Sequence, residues 1–491
     1  MTINNIGCPE TNVVSEMTTY AKIIIFCQTI LFVLYLLTMP ITYINRGDMS
    51  NILDRITTAD CVMVMFIGFG VLRNGWRWKC PLVFWGFISY IAALSFATLV
   101  AHHYGYAEYP VNSSQHGWRA DMAGHLLCAG ALLAIYDYLA SISLNSKIIL
   151  LRFFVAAMSI LGIVGIWDMA AHIYNFPKLS QYYGLFFNYK NMPDLLINDV
   201  GYFIGTFRHF PQAWYFYFIV GILAMINMTM LPKKSKIKLL FGLFLWVPFT
   251  AVFLTFQRTA IIGLIAGTFF VFVAALIEKV YLKERIVQLA WIWLITIIIV
   301  ATFCQISPGF VERLKYKFIG HNTTKKIDIR ENNSKENNIS KIETVKVGGF
   351  GSYFSRNGFT YKNYIETWYS FLKHPCGYGF SGYTVKTTRG NSIHGVYPKI
   401  YCEGGVLGIL SAIFLFVLLF YEPMRNRKFS PHISSIVYVY IPFLLALFIT
   451  FFHAYYLRNR EFWLLIAFVL ALTTLTKKQK TSNEKPSDED K

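Results

Sequence analysis

The sequence is dominated by apolar segments about as long as a membrane-spanning helix. An α-helix needs about 20 apolar residues to cross the hydrocarbon core of a bilayer. Hydropathy places twelve such segments, at 21–44, 59–73, 81–101, 121–144, 148–170, 212–231, 237–256, 259–277, 287–304, 404–421, 433–453 and 461–476. Hydrophobic residues make up 55% of the chain and charged residues only 14%, which is far from the composition of soluble domains. The sequence therefore predicts an all-α polytopic membrane protein with about twelve transmembrane helices.

Lysine and arginine collect in alternate loops between these segments. The clusters lie within 73–79, 147–152, 233–238, 279–285, 425–428 and 477–480. Because positive charge is retained on the cytoplasmic side of a membrane, all of them fall on that side if both termini are cytoplasmic. Residues 477–491 then form a charged cytoplasmic tail. The first apolar segment is long and lacks a small-residue cleavage site, so no cleaved signal peptide is expected.

One large hydrophilic loop, residues 305–403, separates the nine apolar segments of residues 1–304 from the three of residues 404–476. In this orientation it lies on the exported side, and it carries 15 Lys and Arg against 7 Asp and Glu. Such a charge suits phospholipid headgroups, diphosphate-linked lipids or acidic glycans, and on the exported side it argues against nucleic acid. Residues 321–346 are rich in Asn, Lys and Glu and are predicted to be a mobile insertion.

The second half of this loop, residues 356–383, has the pattern of an amphipathic helix followed by a glycine turn. Apolar and aromatic residues recur at helical spacing, at Tyr361, Tyr364, Ile365, Trp368 and Leu372. His374-Pro375 ends the run, and glycines at 377, 379 and 382 follow. The helix is expected to lie along the membrane interface with its aromatic face packed against the helix bundle. A sugar-binding platform is the alternative for that face.

Several arginines lie at or near exported boundaries, where the cytoplasmic bias should deplete them. They are Arg119, Arg208, Arg258, Arg356, Arg458 and Arg460. Each can snorkel to the interface and cap a helix. Arg258 favours a functional interpretation, because the sequence TFQRTA at 255–260 leaves almost no loop between two apolar segments. Its guanidinium is then expected at the exported surface, at the depth of a diphosphate lipid headgroup, where its fixed fork of donors suits phosphate oxygens.

His394 lies just before the apolar segment 404–421. An imidazole whose pKa is near neutral can accept a proton from an attacking hydroxyl, although a lone histidine in such a loop is more often structural. The eight cysteines show no spacing typical of a metal site. Cys376 and Cys402 both fall on the exported side, so either a disulfide or two free thiols is open at this point.

Three separated motifs resemble those of the O-antigen ligase and polymerase superfamily of bacterial inner-membrane glycan transferases. The first is the short hairpin TFQRTA with Arg258. The second runs from Arg356 through an amphipathic helix to KHPCGYGF at 373–380. The third joins SIHGVY at 392–397 to EGGVLG at 403–408. Their order, and a main loop between the ninth and tenth spans, also resemble the family, and one departure is Gly395, where the family usually has Asn.

The resemblance implies a GT-C-like fold and metal-independent, cofactor-free glycan transfer at the periplasmic face of the inner membrane. The donor would be a polysaccharide on undecaprenyl diphosphate, and the acceptor a hydroxyl of lipid A core. His394 would act as base, and Arg258 and Arg356 would bind the diphosphate leaving group. Arg208 and Tyr397 are weaker candidates for substrate contacts. Glu403 would orient His394, contact substrate or cap the following helix.

Three other functions remain open. An O-antigen polymerase would use similar chemistry to extend the glycan on its lipid carrier, and it would draw on arginines in a second exported loop such as 171–211. A protein O-oligosaccharyltransferase would differ in its acceptor. A transporter predicts ionisable residues inside helices and internal repeats, whereas Asp168 is the clearest ionisable residue near a span and no repeat is found.

Overall fold

The computed structural model describes residues 19–40, 57–75, 77–107, 117–174, 176–177, 179, 210–231, 235–279, 282–319, 321–328, 340–347, 359–385, 391–393, 395–427, 430–452 and 456–474. Within these ranges the chain is predominantly α-helical. Two short pairs of antiparallel strands accompany the helices.

Fifteen α-helices occupy most of these ranges. The first eight in chain order are α1 (Thr19–Thr38), α2 (Thr58–Asn74), α3 (Leu82–His103), α4 (Gly117–Ser141), α5 (Leu144–Tyr174), α6 (Phe210–Thr229), α7 (Lys236–Phe244) and α8 (Trp246–Leu254). Then follow α9 (Arg258–Glu278), α10 (Leu282–Ile306), α11 (Pro308–Phe318), α12 (Phe359–Lys373), α13 (Val396–Arg425), α14 (Pro431–Thr450) and α15 (Arg460–Thr473). A 3-10 turn, Tyr456–Arg458, precedes α15.

Nine helical segments in the described part of the chain are long and apolar enough to cross a membrane. They are formed by α1, α3, α4, α5, the α7–α8 pair, α9, α10, α13 and α14. The prediction of an α-helical, multi-pass membrane protein is thereby confirmed. The remaining predicted spans, 59–73, 212–231 and 461–476, coincide with the shorter helices α2, α6 and α15.

Helix α15 lies at the centre of the bundle. Every residue from Phe462 to Thr473 is buried, and the helix packs against α4, α5, α6, α13 and α14. A helix that is apolar all round is typical of such a fully enclosed position. Because protein surrounds it, α15 fits into the core with only 14 residues.

Close glycine contacts fix the relative direction of helices α9 and α14. A methyl group added at Gly263 of α9 would lie 2.5 Å from Thr450 Cγ2, and one at Gly267 would lie 2.7 Å from the ring of Phe443. Helices α9 and α14 are therefore antiparallel, with the start of α9 beside the end of α14. We call the end of the bundle that contains the starts of α4, α9, α13 and α15 and the ends of α3 and α14 the site end.

The opposite end holds cations that the sequence predicted on the cytoplasmic side. Arg73, at the end of α2, pairs with Asp137 near the end of α4. Lys79 Nζ donates to Ala140 O at 3.1 Å, and Lys147 Nζ donates to Ala471 O at 3.0 Å near the end of α15. The alternating charge pattern thus corresponds to one physical end of the bundle.

The loop before α12 contains strands that the sequence did not predict. Strand β1 (His321–Asp328) pairs with β2 (Ser340–Val347), in a register from His321 with Val347 to Asp328 with Ser340. An all-α description is therefore incomplete for this loop. The pairing spans the two ends of the segment predicted to be a mobile insertion, whose mobility stays a prediction. A second pair, β3 (Thr384–Val385) and β4 (Asn391–Ser392), returns the chain toward α13.

Candidate functional site

Helix α13 is broken at Gly405, whose φ of 63° and ψ of −157° are not helical. The residues before this break, 396–404, form a short first segment. A break leaves backbone groups without intrahelical partners, and the glycine turn, residues 374–383, supplies them. Gly379 N donates to Glu403 O at 2.8 Å, and Val406 N donates to Pro375 O at 2.9 Å. Two motifs that are separate in sequence therefore form one interlocked structure.

Glycine is required on both sides of this contact. Gly377 has φ +87°, and a methyl group there would lie 2.4 Å from Glu403 O. Gly405 has φ +63°, and a methyl group there would lie 2.4 Å from Pro375 O. Only glycine adopts such backbone conformations at little cost while allowing this approach. The close backbone approach that these glycines allow is thus made to α13. The amide of Gly379 is used in that contact and is not available to hold a phosphate.

The glycine turn also contacts α3 and the loop that follows it. Phe380 N donates to Thr98 Oγ1 at 2.9 Å. The Tyr106 hydroxyl donates to Gly377 O at 3.1 Å, and its ring stacks on His374 with centroids 4.0 Å apart. Burial raises the pKa of Tyr106, so the phenol keeps the proton that it donates. The turn is therefore held from two sides.

Helix α12 attaches to the bundle through its polar side. Asn363 and Thr367 are buried, and Thr367 Oγ1 lies 2.8 Å from Tyr401 Oη on the first segment of α13. The Tyr364 hydroxyl donates to Phe452 O at 2.6 Å just beyond α14. Burial raises the pKa of Tyr364, which keeps this hydroxyl protonated.

The predicted apolar side of α12 packs on the bundle only in part: Tyr364 contacts Phe452, whereas the other described residues of this side point away from the bundle. Ile365, Trp368 and Leu372 are exposed, although the Trp368 ring keeps an edge contact with Tyr401. The physical reason is that α12 is held to the bundle by hydrogen bonds, which Thr367 and the Tyr364 hydroxyl make, and these do not require the whole apolar side to be buried. An exposed apolar stripe on an amphipathic helix suits the headgroup region of a bilayer.

Arg258 is the first residue of α9 and follows a tight turn. It is only 9% exposed, so protein encloses the side chain and it does not snorkel into water. Its depth at the exported membrane surface stays a prediction. Two residues earlier, Phe256 has a φ of 53°, a conformation that costs energy outside glycine. Its ring packs on Phe310 at 4.9 Å. Backbone strain of this kind is typical of functional sites.

The starts of α9 and α13 meet at the end of α14. Val396 N donates to Phe451 O at 2.8 Å. Gly263 of α9 abuts Thr450, and Arg258 lies five residues before it, which is about 7.5 Å along the helix axis toward the site end. The Arg258 turn and the beginning of α13 therefore share one end of the bundle.

Gly395, where the family usually has Asn, directly precedes α13. It has φ +93°, and a methyl group there would lie 2.6 Å from Phe452 O. This departure has a physical reason, because a side chain would collide with the backbone at the end of α14. We predict that Gly395→Asn lowers thermal stability by about 2–3 kcal/mol, measured by thermal unfolding of the purified protein. An unchanged melting temperature would contradict this packing.

Three predicted site residues, His394, Arg356 and Arg208, lie outside the described residues, and their roles stay predictions. Ile393 is buried in a cluster with Tyr378, Tyr383 and Cys402. Gly395 contacts the end of α14. The chain on either side of position 394 is thus placed at the site end.

Tyr397 is half-buried and ties α13 to α14. Its hydroxyl donates to Phe448 O at 2.8 Å, and its ring packs on Phe452 with centroids 4.9 Å apart. The hydroxyl is thus used in a bond within the protein. A contact with substrate stays a prediction for this residue.

A buried ionic cluster, which the sequence did not reveal, lies beside the first segment of α13. Asp121 of α4 contacts Arg458 at 2.9 Å and Lys399 at 3.9 Å. Lys399 Nζ lies 3.6 Å from Glu403 Oε1, and Ser381 Oγ donates to Asp121 Oδ2 at 3.0 Å. Glu403 thus faces a lysine one turn earlier in its own helix. The sequence contains one hint of this cluster, the acidic residue Asp121 in a predicted span. Because Asp121 is the first residue of that span, its position is typical of a residue at the membrane boundary.

The cysteine pair is not bonded. Cys376 is exposed and Cys402 is buried, and both are free thiols. Cys402 packs with Tyr378 and Tyr383. The two thiols are therefore in different environments on either side of the glycine contact, so the disulfide alternative is wrong.

No protein-family model, no curated protein and no solved structure matches this chain. Its likeness to the ligase and polymerase superfamily rests on the three sequence motifs, their order and the position of the main loop.

Proposed function

We propose that this protein is an O-antigen ligase of the bacterial inner membrane. It transfers a polysaccharide from undecaprenyl diphosphate to a hydroxyl of lipid A core at the periplasmic face, without a metal or cofactor. The bundle crosses the membrane with twelve helices, including the short α2, α6 and α15, and both termini are cytoplasmic. The large loop and the site end then face the periplasm.

The convergence of the motifs at one end of the bundle is the observation that carries the proposal. The glycine turn interlocks with the break at Gly405. The start of α13 and the Arg258 turn both meet the end of α14. Nothing in the local sequence requires parts of all three motifs to meet. A shared reaction centre explains why they do.

The chemistry follows from charge and depth. A diphosphate leaving group needs fixed positive charge where negative charge develops, and a buried arginine is worth more there than one in water. Arg258 fits that role, and Arg356 is proposed to assist it. The acceptor oxygen attacks the anomeric carbon, and the bond from that carbon to the diphosphate breaks with inversion. His394 takes the hydroxyl proton, and undecaprenyl diphosphate leaves as an anion.

The exposed stripe of α12 supports a site at the level of the lipid headgroups. Trp368 belongs to the residue class that collects at membrane interfaces, and α12 is tied directly to the first segment of α13. The donor diphosphate lies at this depth, because its polyprenyl chain stays in the hydrocarbon core. A lipid-linked substrate can therefore reach the site from the plane of the membrane.

Deletion of the gene in its bacterial host tests the proposal. We expect polymer to disappear from lipid A core while it accumulates on the lipid carrier, as seen by gel analysis of the surface glycan. A plasmid copy should restore the pattern, and a His394→Ala copy should not. Survival of a single repeat on lipid A core would instead indicate a polymerase. Loss of glycan from proteins would indicate a protein O-oligosaccharyltransferase, and an unchanged pattern would exclude all three.

A further inference from the structure

The buried ionic cluster joins four parts of the chain that are far apart in sequence. Asp121 comes from α4, Ser381 from the glycine turn, Lys399 and Glu403 from the first segment of α13, and Arg458 from the 3-10 turn before α15. Two carboxylates and two cations make up the cluster, and Nδ1 of the His125 ring lies 3.7 Å from Asp121 Oδ1. Asp121 and Glu403 are each 1% exposed. Pairing with cations is therefore needed to offset the free-energy cost of burying their charges.

Lys399 occupies the middle of this cluster. Its Nζ lies between Asp121 Oδ2 at 3.9 Å and Glu403 Oε1 at 3.6 Å. Among the described residues, Lys399 makes the ionic contact between the first segment of α13 and α4. Removing it would leave two buried carboxylates with less compensating charge, which is strongly unfavourable in a low-dielectric interior. The segment would then relax away from α4.

The held segment is short and lies next to the proposed chemistry. It begins directly after Gly395 and ends at the break at Gly405. Only nine residues, 396–404, separate these two glycines, so a displacement of this segment is transmitted to both of its ends. Backbone contacts hold both ends, and Tyr397 and Tyr401 tie the segment to α14 and α12. Lys399 adds the ionic contact toward α4.

We propose that Lys399, together with Asp121, is a positioning residue that holds the first segment of α13 against α4 and thereby fixes the start of α13 relative to the Arg258 turn. The inference rests on the proposed function for its effect on glycan transfer. Its mechanical part does not depend on that function. Lys399 itself makes no contact with substrate in this assignment.

Cys402 provides a native reporter for the mechanical part. Its thiol is free and fully buried on the segment in question. In a full-length variant that keeps Cys402 and has its other seven cysteines replaced by Ala, the rate of maleimide labelling reports how often the segment undocks. We expect Lys399→Met to raise this rate by about tenfold or more, because local opening becomes less costly.

The same variant tests the effect on transfer. With lipid-linked glycan and lipid A core as substrates, Lys399→Met should lower kcat by about 100-fold and leave the KM for the donor nearly unchanged, because small displacements of reacting groups have effects of that size. A general loss of stability would also lower the apparent kcat at unchanged KM, so the rates are compared per amount of folded protein, and a deficit that remains after this correction supports the positioning role. Lys399→Arg keeps the charge and should restore most of the labelling protection and most of the rate.

Lys147→Met is the matched control. Lys147 is a partly buried lysine that donates to Ala471 O at the opposite end, so its loss should alter neither the labelling of Cys402 nor kcat. If Lys399→Met does not accumulate, Asp121→Asn gives the same comparison, since its partner Arg458 has a side chain that is 37% exposed and can be hydrated.

Three results would overturn the proposal. Unchanged labelling with unchanged kcat would show that Lys399 neither holds the first segment of α13 nor affects transfer. A loss of kcat with unchanged labelling would place Lys399 in direct contact with substrate. Faster labelling with unchanged kcat would show that the position of this segment does not affect the rate of glycan transfer. If the wild-type protein transfers no glycan, the proposed function fails, and the labelling rates alone still decide whether Lys399 holds the segment.

Discussion

Replacing Arg258 with alanine is expected to lower the rate of glycan transfer by about 100- to 1000-fold, the usual effect of losing one fixed donor to a developing anion. The side chain is buried at the first position of α9, where the lower dielectric makes its charge count for more than it would in water. The effect should appear mainly in kcat, because the charge on the diphosphate grows as its bond to the sugar breaks. The measurement is transfer by purified variant protein.

Two further variants test whether the loss of transfer rate is specific to the guanidinium of Arg258. Arg258→Lys should recover little of the lost rate, because a compact ammonium cannot offer the planar fork of donors. Arg119→Ala is the matched control: Arg119 also lies at the site end, at the start of α4, but it is exposed and stacks over Trp118 at 5.2 Å. Its loss should change the rate less than about twofold. Equal effects at the two arginines would exclude a specific role for Arg258.

Substituting Gly377 with alanine is expected to destabilise the protein by about 2–4 kcal/mol and to abolish transfer. The new methyl group would meet Glu403 O at 2.4 Å and Gly405 N at 2.6 Å, and the backbone would be held at φ +87°. Both of these neighbours are backbone atoms, which cannot move aside as a flexible side chain would. The glycine turn should therefore separate from α13, as measured by thermal unfolding and by maleimide labelling of Cys402.

Gly68→Ala is the control for this substitution. Gly68 lies inside α2, and an added methyl group would have no atom within 4 Å. Alanine there should be neutral or should stabilise the helix by up to about 1 kcal/mol. If Gly377→Ala were tolerated as well as Gly68→Ala, the interlocked contact between the glycine turn and α13 would not exist in the membrane-embedded protein.

Hydropathy located the helices well because lipid-spanning segments must be apolar over their full length. Two departures have local causes. The predicted span 237–256 is divided into α7 and α8 at Leu245, because Pro248 has no N–H to donate to Phe244 O four residues earlier. Helix α13 begins at Val396, eight residues before the predicted span 404–421, because its first segment carries charges that are typical of a loop.

The site was less accessible from sequence because its contacts are long-range. The residues of the third motif were recognised, but the pairing of Lys399 with Asp121 joins positions 278 residues apart in the chain, and no local pattern indicates it. The orientation of α12 was predicted only in part for a related reason. Helical spacing identifies an apolar face, but it does not decide whether that face meets protein or lipid.

Reconstituted transfer is the most direct test of the central claim. Purified protein in liposomes is supplied with undecaprenyl-diphosphate-linked glycan and lipid A core, and both products are separated by chromatography. The account predicts glycan on lipid A core together with an equal amount of released undecaprenyl diphosphate, and loss of both products in Arg258→Ala. Absence of transfer by wild-type protein, or undiminished transfer by Arg258→Ala, would contradict it.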